Sequence, residues 1–320
     1  MHLPNEVIKL ILKNVDWRTL YKVKLVSKFF DTLVNSNLDF FQKPKMKMLN
    51  MSSFYNKEDT LEIYCSFFCE DKFINLERFS ILIDEIKVDD IEYYLKKVNL
   101  FDIEYVWVKT NGKTIVFDIL NRYFKPGTSV QSLHIEVNNN PDFQSFSQFI
   151  QKIRYVNSLY LKNLCFTDKN IPKNYELSMI EKLSNLFLLE CRCTCLVNSL
   201  MIKNLFINNK SLKEVKIYSK CSNFEVDLVR NIKARQDLCN KDEKSHEKYH
   251  IYLPHKNGII NNVEFIKYFP CGTYSMLDTI ENYCTFGATK ACQKCSTSKA
   301  IFFTYIMPPK PIGIDCESTI

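Results

Sequence analysis

Apolar positions recur along this chain on two scales. Close to the N-terminus, Val7, Ile8, Ile11, Leu12 and Val15 follow the i, i+1, i+4, i+5, i+8 spacing that puts side chains on one face of a helix. Pro4 suits the first turn of that helix, where a missing N–H is not needed. Asp16 is the expected N-cap of a second helix carrying Leu20 and Val23, and Leu25, Val26, Phe29, Phe30 and Leu33 supply a third apolar stretch. A unit shorter than about 40 residues rarely buries enough surface to stand alone. The apolar excess on this one therefore predicts a docking partner.

Beyond residue 70 the apolar spacing takes on a long period. The pattern apolar-x-x-apolar-x-apolar falls on Leu76-Phe79-Ile81, Ile103-Val106-Val108, Val130-Leu133-Ile135, Val156-Leu159-Leu161 and Leu183-Leu186-Leu188. Its middle positions are 27, 27, 26 and 27 residues apart, and Leu212-Val215-Ile217 follows after 29. A fixed period of this size marks stacked supersecondary units. Helical stretches are expected between copies, at 88–97 with Ile91 and Leu95, 115–124 with Ile119 and Leu120, 143–153 with Phe146 and Ile150, and 175–182. Phe79, Val106, Leu133, Leu159 and Leu186 are thus expected to stack as one inward ladder of parallel strands joined by crossovers.

Alternation along each strand then turns the intervening residues outward, onto an expected concave face. One outward column reads Ser80, Trp107, His134, Tyr160, Phe187 and Lys216, and its neighbour reads Arg78, Tyr105, Ser132, Ser158, Asn185 and Glu214. Successive rings are costly to leave in water, and exposed aromatic patches mark recognition surfaces. Trp107, His134, Tyr160 and Phe187 are therefore the candidate residues for binding a protein substrate. The competing expectation is that a returning C-terminal segment covers these rings.

Residues 40–70 are expected to bridge the two regions, with Met46, Met48 and Leu49 in a first, irregular strand. After Ile217 a helix fits 225–238, with Val226, Val229 and Ile232 on one side. Lys241 to Lys248 reads as a charged, solvated loop, 249–253 as a strand, 301–307 as a short buried strand, and Met307 to Pro311 as a Pro-rich tail.

Composition narrows the function classes. A chain of 320 residues permits one or two domains, and 46% hydrophobic with 25% charged residues is ordinary for globular proteins. The net charge of +7 is spread along the length, without a basic cluster interleaved with aromatics, so no nucleic-acid partner is expected. No apolar run reaches the roughly 18 residues needed to span a bilayer, and Glu6 and Lys9 interrupt any signal-peptide core. With 13 Cys, an odd number, the chain reads as cytoplasmic or nuclear, with reduced thiols acting as small hydrophobes and no membrane partner. Only 6 Gly are present, and no phosphate-cradling glycine motif occurs. Cys271, Cys284, Cys292 and Cys295 are spaced too irregularly for a structural zinc site. Cys191, Cys193 and Cys195 read as core, and His246, His250 and His255 as surface residues bracketing the charged loop. No metal, cofactor or catalytic residue is expected.

The N-terminal residues resemble an F-box, whose pattern runs Leu-Pro-x-Glu, an aliphatic helix, an acidic turn, a central Leu, then Val-Ser-Lys. The matches are Leu3, Pro4, Glu6, Ile11, Leu12, Asp16, Leu20, Val26, Ser27 and Lys28. Trp17 stands where many members have Pro, and Met1 and His2 alone precede Leu3. The resemblance implies binding to the Skp-type adaptor of a cullin-RING ubiquitin ligase. Leu3, Pro4, Val7, Ile8, Ile11, Leu12, Val15, Leu20, Val26 and Ser27 are the expected adaptor-binding residues. Residues 70–220 resemble a diverged leucine-rich repeat, with its Asn/Cys turn position met at Asn111, Asn138 and Cys191. The implied fold is α/β: an F-box three-helix domain (1–40), a linker and irregular first repeat (41–70), and a curved leucine-rich-repeat-like solenoid with parallel strands (71–320). The implied role is substrate recognition in an SCF-type ligase, without catalysis by this chain. The alternative is an F-box/repeat interaction scaffold that promotes no ubiquitination.

Overall fold

A computed structural model describes residues 3–55, 61–69, 88–167, 171–177, 180–191, 194–219, 224–237, 248–254, 266–270, 275–277, 284–296 and 298–306. Three short helices open the chain: α1 (Asn5–Lys13), α2 (Trp17–Lys24) and α3 (Lys28–Asn35). Pro4 occupies the N-cap of α1, one position before the first turn expected for it, and its carbonyl accepts from the N–H groups of Val7 and Ile8. The Asp16 carboxylate caps α2 by accepting from the N–H groups of Arg18 and Thr19. Ser27 caps α3, accepting from the Phe30 N–H. Leu12, Leu20, Leu33, Val34 and Phe41 form the core of this unit, with Ile8, Val15, Val23, Phe30 and Leu38 packed around it.

The remainder is an α/β arrangement built on one mixed sheet. Its strands are β1 (Met46–Tyr55), β2 (Leu61–Cys69), β3 (Asp102–Asn111), β4 (Thr128–Asn138), β5 (Ile153–Leu164), β6 (Asn185–Glu190), β7 (Glu214–Tyr218), β8 (Lys248–Pro254), β9 (Ser275–Leu277), β10 (Cys284–Ala291) and β11 (Ser298–Ile306). The order is β2-β1-β3-β4-β5-β6-β7-β8-β11-β10-β9. All neighbours from β1 to β11 run parallel, while β2 at one end and β10 and β9 at the other are antiparallel. The bridging segment 41–70 thus contributes two strands, and β1 takes the place beside β3.

Parallel neighbours need long crossovers, and most of these are helical. Helix α4 (Val88–Lys96) precedes β3, α5 (Val116–Tyr123) links β3 to β4, α6 (Phe143–Lys152) links β4 to β5, α7 (Ser199–Asn208) links β6 to β7, and α8 (Phe224–Asp237) links β7 to β8. The helix expected at 175–182 is absent among the described residues of that segment, 175–177 and 180–182. Asn198 anchors that segment: its Oδ1 caps α7 at the Met201 N–H, and its Nδ2 donates to the Tyr175 carbonyl. Buried Asn209 does the same at the other end of α7, accepting from the Leu183 N–H and donating to the carbonyls of Ile180 and Leu205. Arg235 of α8 donates to the carbonyls of Phe206, Asn209, Lys210 and Leu212, with its guanidinium over the Phe206 ring. These side chains satisfy backbone groups that a helix end cannot satisfy itself.

The ladder is in register. Leu49, Val106, Leu133, Leu159, Leu186, Val215, Ile251 and Phe303 pair strand by strand and are essentially solvent-free. Leu49 adjoins Val106, where Phe79 was expected; the copy at Leu76-Phe79-Ile81, with Ser80 and Arg78, lies outside the described residues. Helices α5 to α8 bury Phe117, Leu120, Phe146, Phe149, Leu205 and Ile232 in the same core, so they cover the face toward which the ladder points. On α8 the buried apolar positions are Phe224, Leu228, Val229 and Ile232, while Val226 is only half-buried.

Several smaller expectations change. Asn111 is exposed and Asn138 half-buried, so neither starts an internal asparagine ladder; among the described residues the fully buried amides are Asn140 and Asn209. Cys191 lies beyond the end of β6, and Cys195 is exposed and disulfide-bonded, unlike the reduced core thiols expected. Cys65, Cys165 and Cys292 are buried and not disulfide-bonded, and burial pushes the Cys65 pKa up to about 12. Cys193, Cys271, His246, His255, the loop at 241–247 and the tail from Met307 lie outside the described residues. Among the described residues no helix is long and apolar enough to cross a membrane, and no group of three metal-ligating side chains occurs.

Candidate functional site

The face opposite the helices carries the outward residues of the parallel strands. Because each strand is in register with the next, every second residue falls into a column running across the sheet. The central column is Asn50, Trp107, His134, Tyr160, Phe187, Lys216, Tyr252 and Thr304. All four candidate substrate-binding residues are therefore adjacent, on β3, β4, β5 and β6. Trp107 is 44% exposed, and His134, Tyr160 and Phe187 are half-buried.

The rings shield one another. His134 stacks on Tyr160 with centroids 4.0 Å apart and planes 18° from parallel. Tyr105 leans on His134 at 5.0 Å, and Phe187 lies 6.3 Å from Tyr160 and 6.1 Å from Tyr218. Such pairs contribute about 0.5–1.5 kcal/mol each beyond area burial. Burial, with help from Lys162, pushes the His134 pKa below the usual imidazole value. Burial also raises the phenol pKa values of Tyr105, Tyr218 and Tyr252.

Polar strips flank the rings. On one side Ser132 lies 3.1 Å from His134 Nε2, and Asn185 donates to the Ser158 hydroxyl at 3.0 Å. On the other side Glu136 pairs with Lys109 at 3.2 Å and also accepts from Asn138 and Asn163. Burial works against the Glu136 carboxylate, yet these donors outweigh it and hold the pKa below the usual range. The column from Trp107 to Lys216 runs in the register read from the sequence, with Asn50 beside Trp107 and Ser80 outside the described residues. The step from Lys216 to Tyr252, whose ring lies 4.4 Å beneath the Lys216 ammonium, was not anticipated. The missing signal was the strand at 249–253: its alternation was visible, but its phase against β7 was not.

The N-terminal unit presents a second surface. Of the expected adaptor-binding residues, Leu3, Pro4, Val7, Ile11 and Val26 are exposed, and Val26 reaches 71%. Leu12 and Leu20 are buried in the unit's own core and are removed from the candidate surface. Ile8 and Val15 are only partly buried and lean on that core, and the Ser27 hydroxyl is occupied as a helix cap. The helix face read as one stripe is therefore divided. Leu10, Leu25 and Phe29, not anticipated as contact residues, join the exposed set.

Comparison with known proteins adds no relative: no family model, no curated protein and no solved structure matches this chain.

Proposed function

We propose that this chain is the substrate-recognition subunit of an SCF-type cullin-RING ubiquitin ligase. In this reading the N-terminal helices are an F-box that docks to a Skp-type adaptor. The sheet with its helices is a curved, leucine-rich-repeat-like solenoid whose ring column receives a protein substrate. The chain performs no chemistry. It holds the substrate near the charged ubiquitin carrier and so raises effective concentration.

One observation carries the proposal. The helical unit fully buries five large apolar side chains but leaves Leu3, Val7, Leu10, Ile11, Leu25, Val26 and Phe29 in water. At about 1.5–3 kcal/mol for each such side chain fully buried, covering even part of this set supports stable association. A unit built for its own stability alone would not keep them outside.

The test is reconstitution with purified components. The full chain is expected to co-elute with a Skp-type adaptor and, through it, with a cullin. Absence of adaptor co-elution would overturn the assignment. Co-elution without any chain-dependent ubiquitin transfer to a captured substrate would leave the scaffold alternative in its place.

A further inference from the structure

Phe187 sits between two ammonium groups. Lys162 of β5 lies 5.6 Å from its ring centroid, and Lys216 of β7 lies 6.0 Å from it while resting 4.4 Å over Tyr252 on its other side. Among the described residues neither lysine forms an ion pair. Lysines on a sheet face are ordinarily matched by carboxylates on the adjacent strand, as Lys109 is by Glu136 and Lys47 by Glu104.

The arrangement keeps a ready partner away. Glu136 is the register neighbour of Lys162, yet its Oε1 is taken by Lys109, Asn138 and Asn163. Asn163 reaches it from an irregularity in β5 between Leu161 and Leu164, where its own φ is +48°, a conformation asparagine tolerates better than most residues. Such irregularities re-aim neighbouring side chains, and Lys162 is directed over Phe187. Glu214, two residues before Lys216, pairs in register with Asn185 and adds to burial in raising the Tyr252 pKa, but it forms no ion pair with Lys216. Tyr218 lies one strand beyond Leu189, and its ring is 6.1 Å from Phe187.

We infer that Lys162 and Lys216, with Phe187 as the floor between them, form a subsite for an anionic side chain, carboxylate or phosphate, of an acidic segment rich in aromatic residues. The aromatic residues of that segment stack along Tyr160, His134 and Trp107. The inference rests on reading the ring column as the substrate surface, and it specifies the substrate class: acidic and aromatic together. A basic or purely aliphatic segment leaves both ammonium groups uncompensated and is rejected.

The probe is the random copolymer poly(Glu,Tyr), titrated against the full chain by biolayer interferometry, with poly(Lys,Tyr) and poly(Glu) as comparisons. Poly(Glu,Tyr) should bind, and more tightly than either comparison. Lys162→Gln with Lys216→Gln should weaken it about ten-fold, the size expected for losing charge-assisted contacts. Lys203→Gln with Lys210→Gln removes the same charge from exposed positions outside the ring column and should leave binding unchanged. No binding, or equal loss in both pairs, overturns the subsite. Inorganic phosphate and acetate at matched ionic strength separate the two anion sources: stronger competition by phosphate supports a phosphorylated segment, and equal competition supports a carboxylate. Competition no greater than that of chloride overturns the subsite. Adaptor co-elution is read on the same proteins. Its loss with copolymer binding intact defeats the ligase reading alone, and its retention without copolymer binding defeats the subsite alone.

Discussion

Leu159 and Tyr160 are consecutive on β5, yet they meet different surroundings. Leu159 sits in the in-register ladder at 0% exposure, between Leu133 and Leu186 and against the helical layer. Tyr160 points to the opposite face, where its neighbours are other rings and its far side is solvent. On the inner face an apolar group is held by contacts in every direction, so its removal leaves a hole. On the outer face a ring is supported on one side only. What is stabilising in the first setting is available for binding in the second.

The sharpest way to break this contrast is to put the same kind of change on each face. Leu159→Asp buries a carboxylate without a partner and should destabilise the sheet by several kcal/mol, enough to prevent folding, as read by soluble yield and far-UV circular dichroism. A folded Leu159→Asp protein would show that the inner ladder is not a continuous core.

The N-terminal helices offer the same contrast at smaller scale. Leu12→Ala, in the five-residue core, should destabilise that unit by about 2–5 kcal/mol, read as an early transition in thermal melting. Ile11→Ala with Val26→Ala, at exposed positions, should leave that transition in place while weakening adaptor capture at least as strongly as Leu12→Ala does. Equal melting behaviour for the two variants would erase the distinction between packed and presented residues.

Trp107→Ala with Tyr160→Ala should abolish substrate capture and lower the melting temperature by only a few degrees. A large drop would assign the rings to the core. The smallest effect concerns His134. Its folded pKa lies below the unfolded one, so the unfolded chain binds the proton more readily and stability falls as pH drops through the unfolded imidazole value toward the folded one. Melting between pH 7.5 and 5.5 should show this decline, and His134→Gln should remove part of it. Tyr105, Tyr160 and Lys162 are the groups around the ring, and Lys162 adds to the cost of protonation.

The ladder from Val106 to Val215 was legible because strand period and repeat period coincide there, and both columns followed from it. Other elements were hidden for identifiable reasons. Helix α7 buries Met201, Ile202, Leu205 and Phe206, a clear helical stripe, but exposed Leu200 and Ile207 fill in its polar side and erase the contrast. Strand β2 alternates at Ile63 and Cys65, yet its place depends on an antiparallel pairing with β1 that no local pattern announces. On α1 the sequence could not tell which half of an apolar helix packs inward, because Leu12 and Ile11 differ only in where α2 and α3 return. The Lys162 subsite was least visible of all, since it depends on which donors occupy Glu136.

Arg235 binds carbonyls at the end of α7 from the strand-helix segment that follows, and Asn209 and Asn198 reach back to the segment before β6. The boundaries between units are therefore shared property. Excising one unit, or grafting it into another array, would cut these bonds and leave buried carbonyl and amide groups unsatisfied on both sides. A substitution on the open face disturbs none of them.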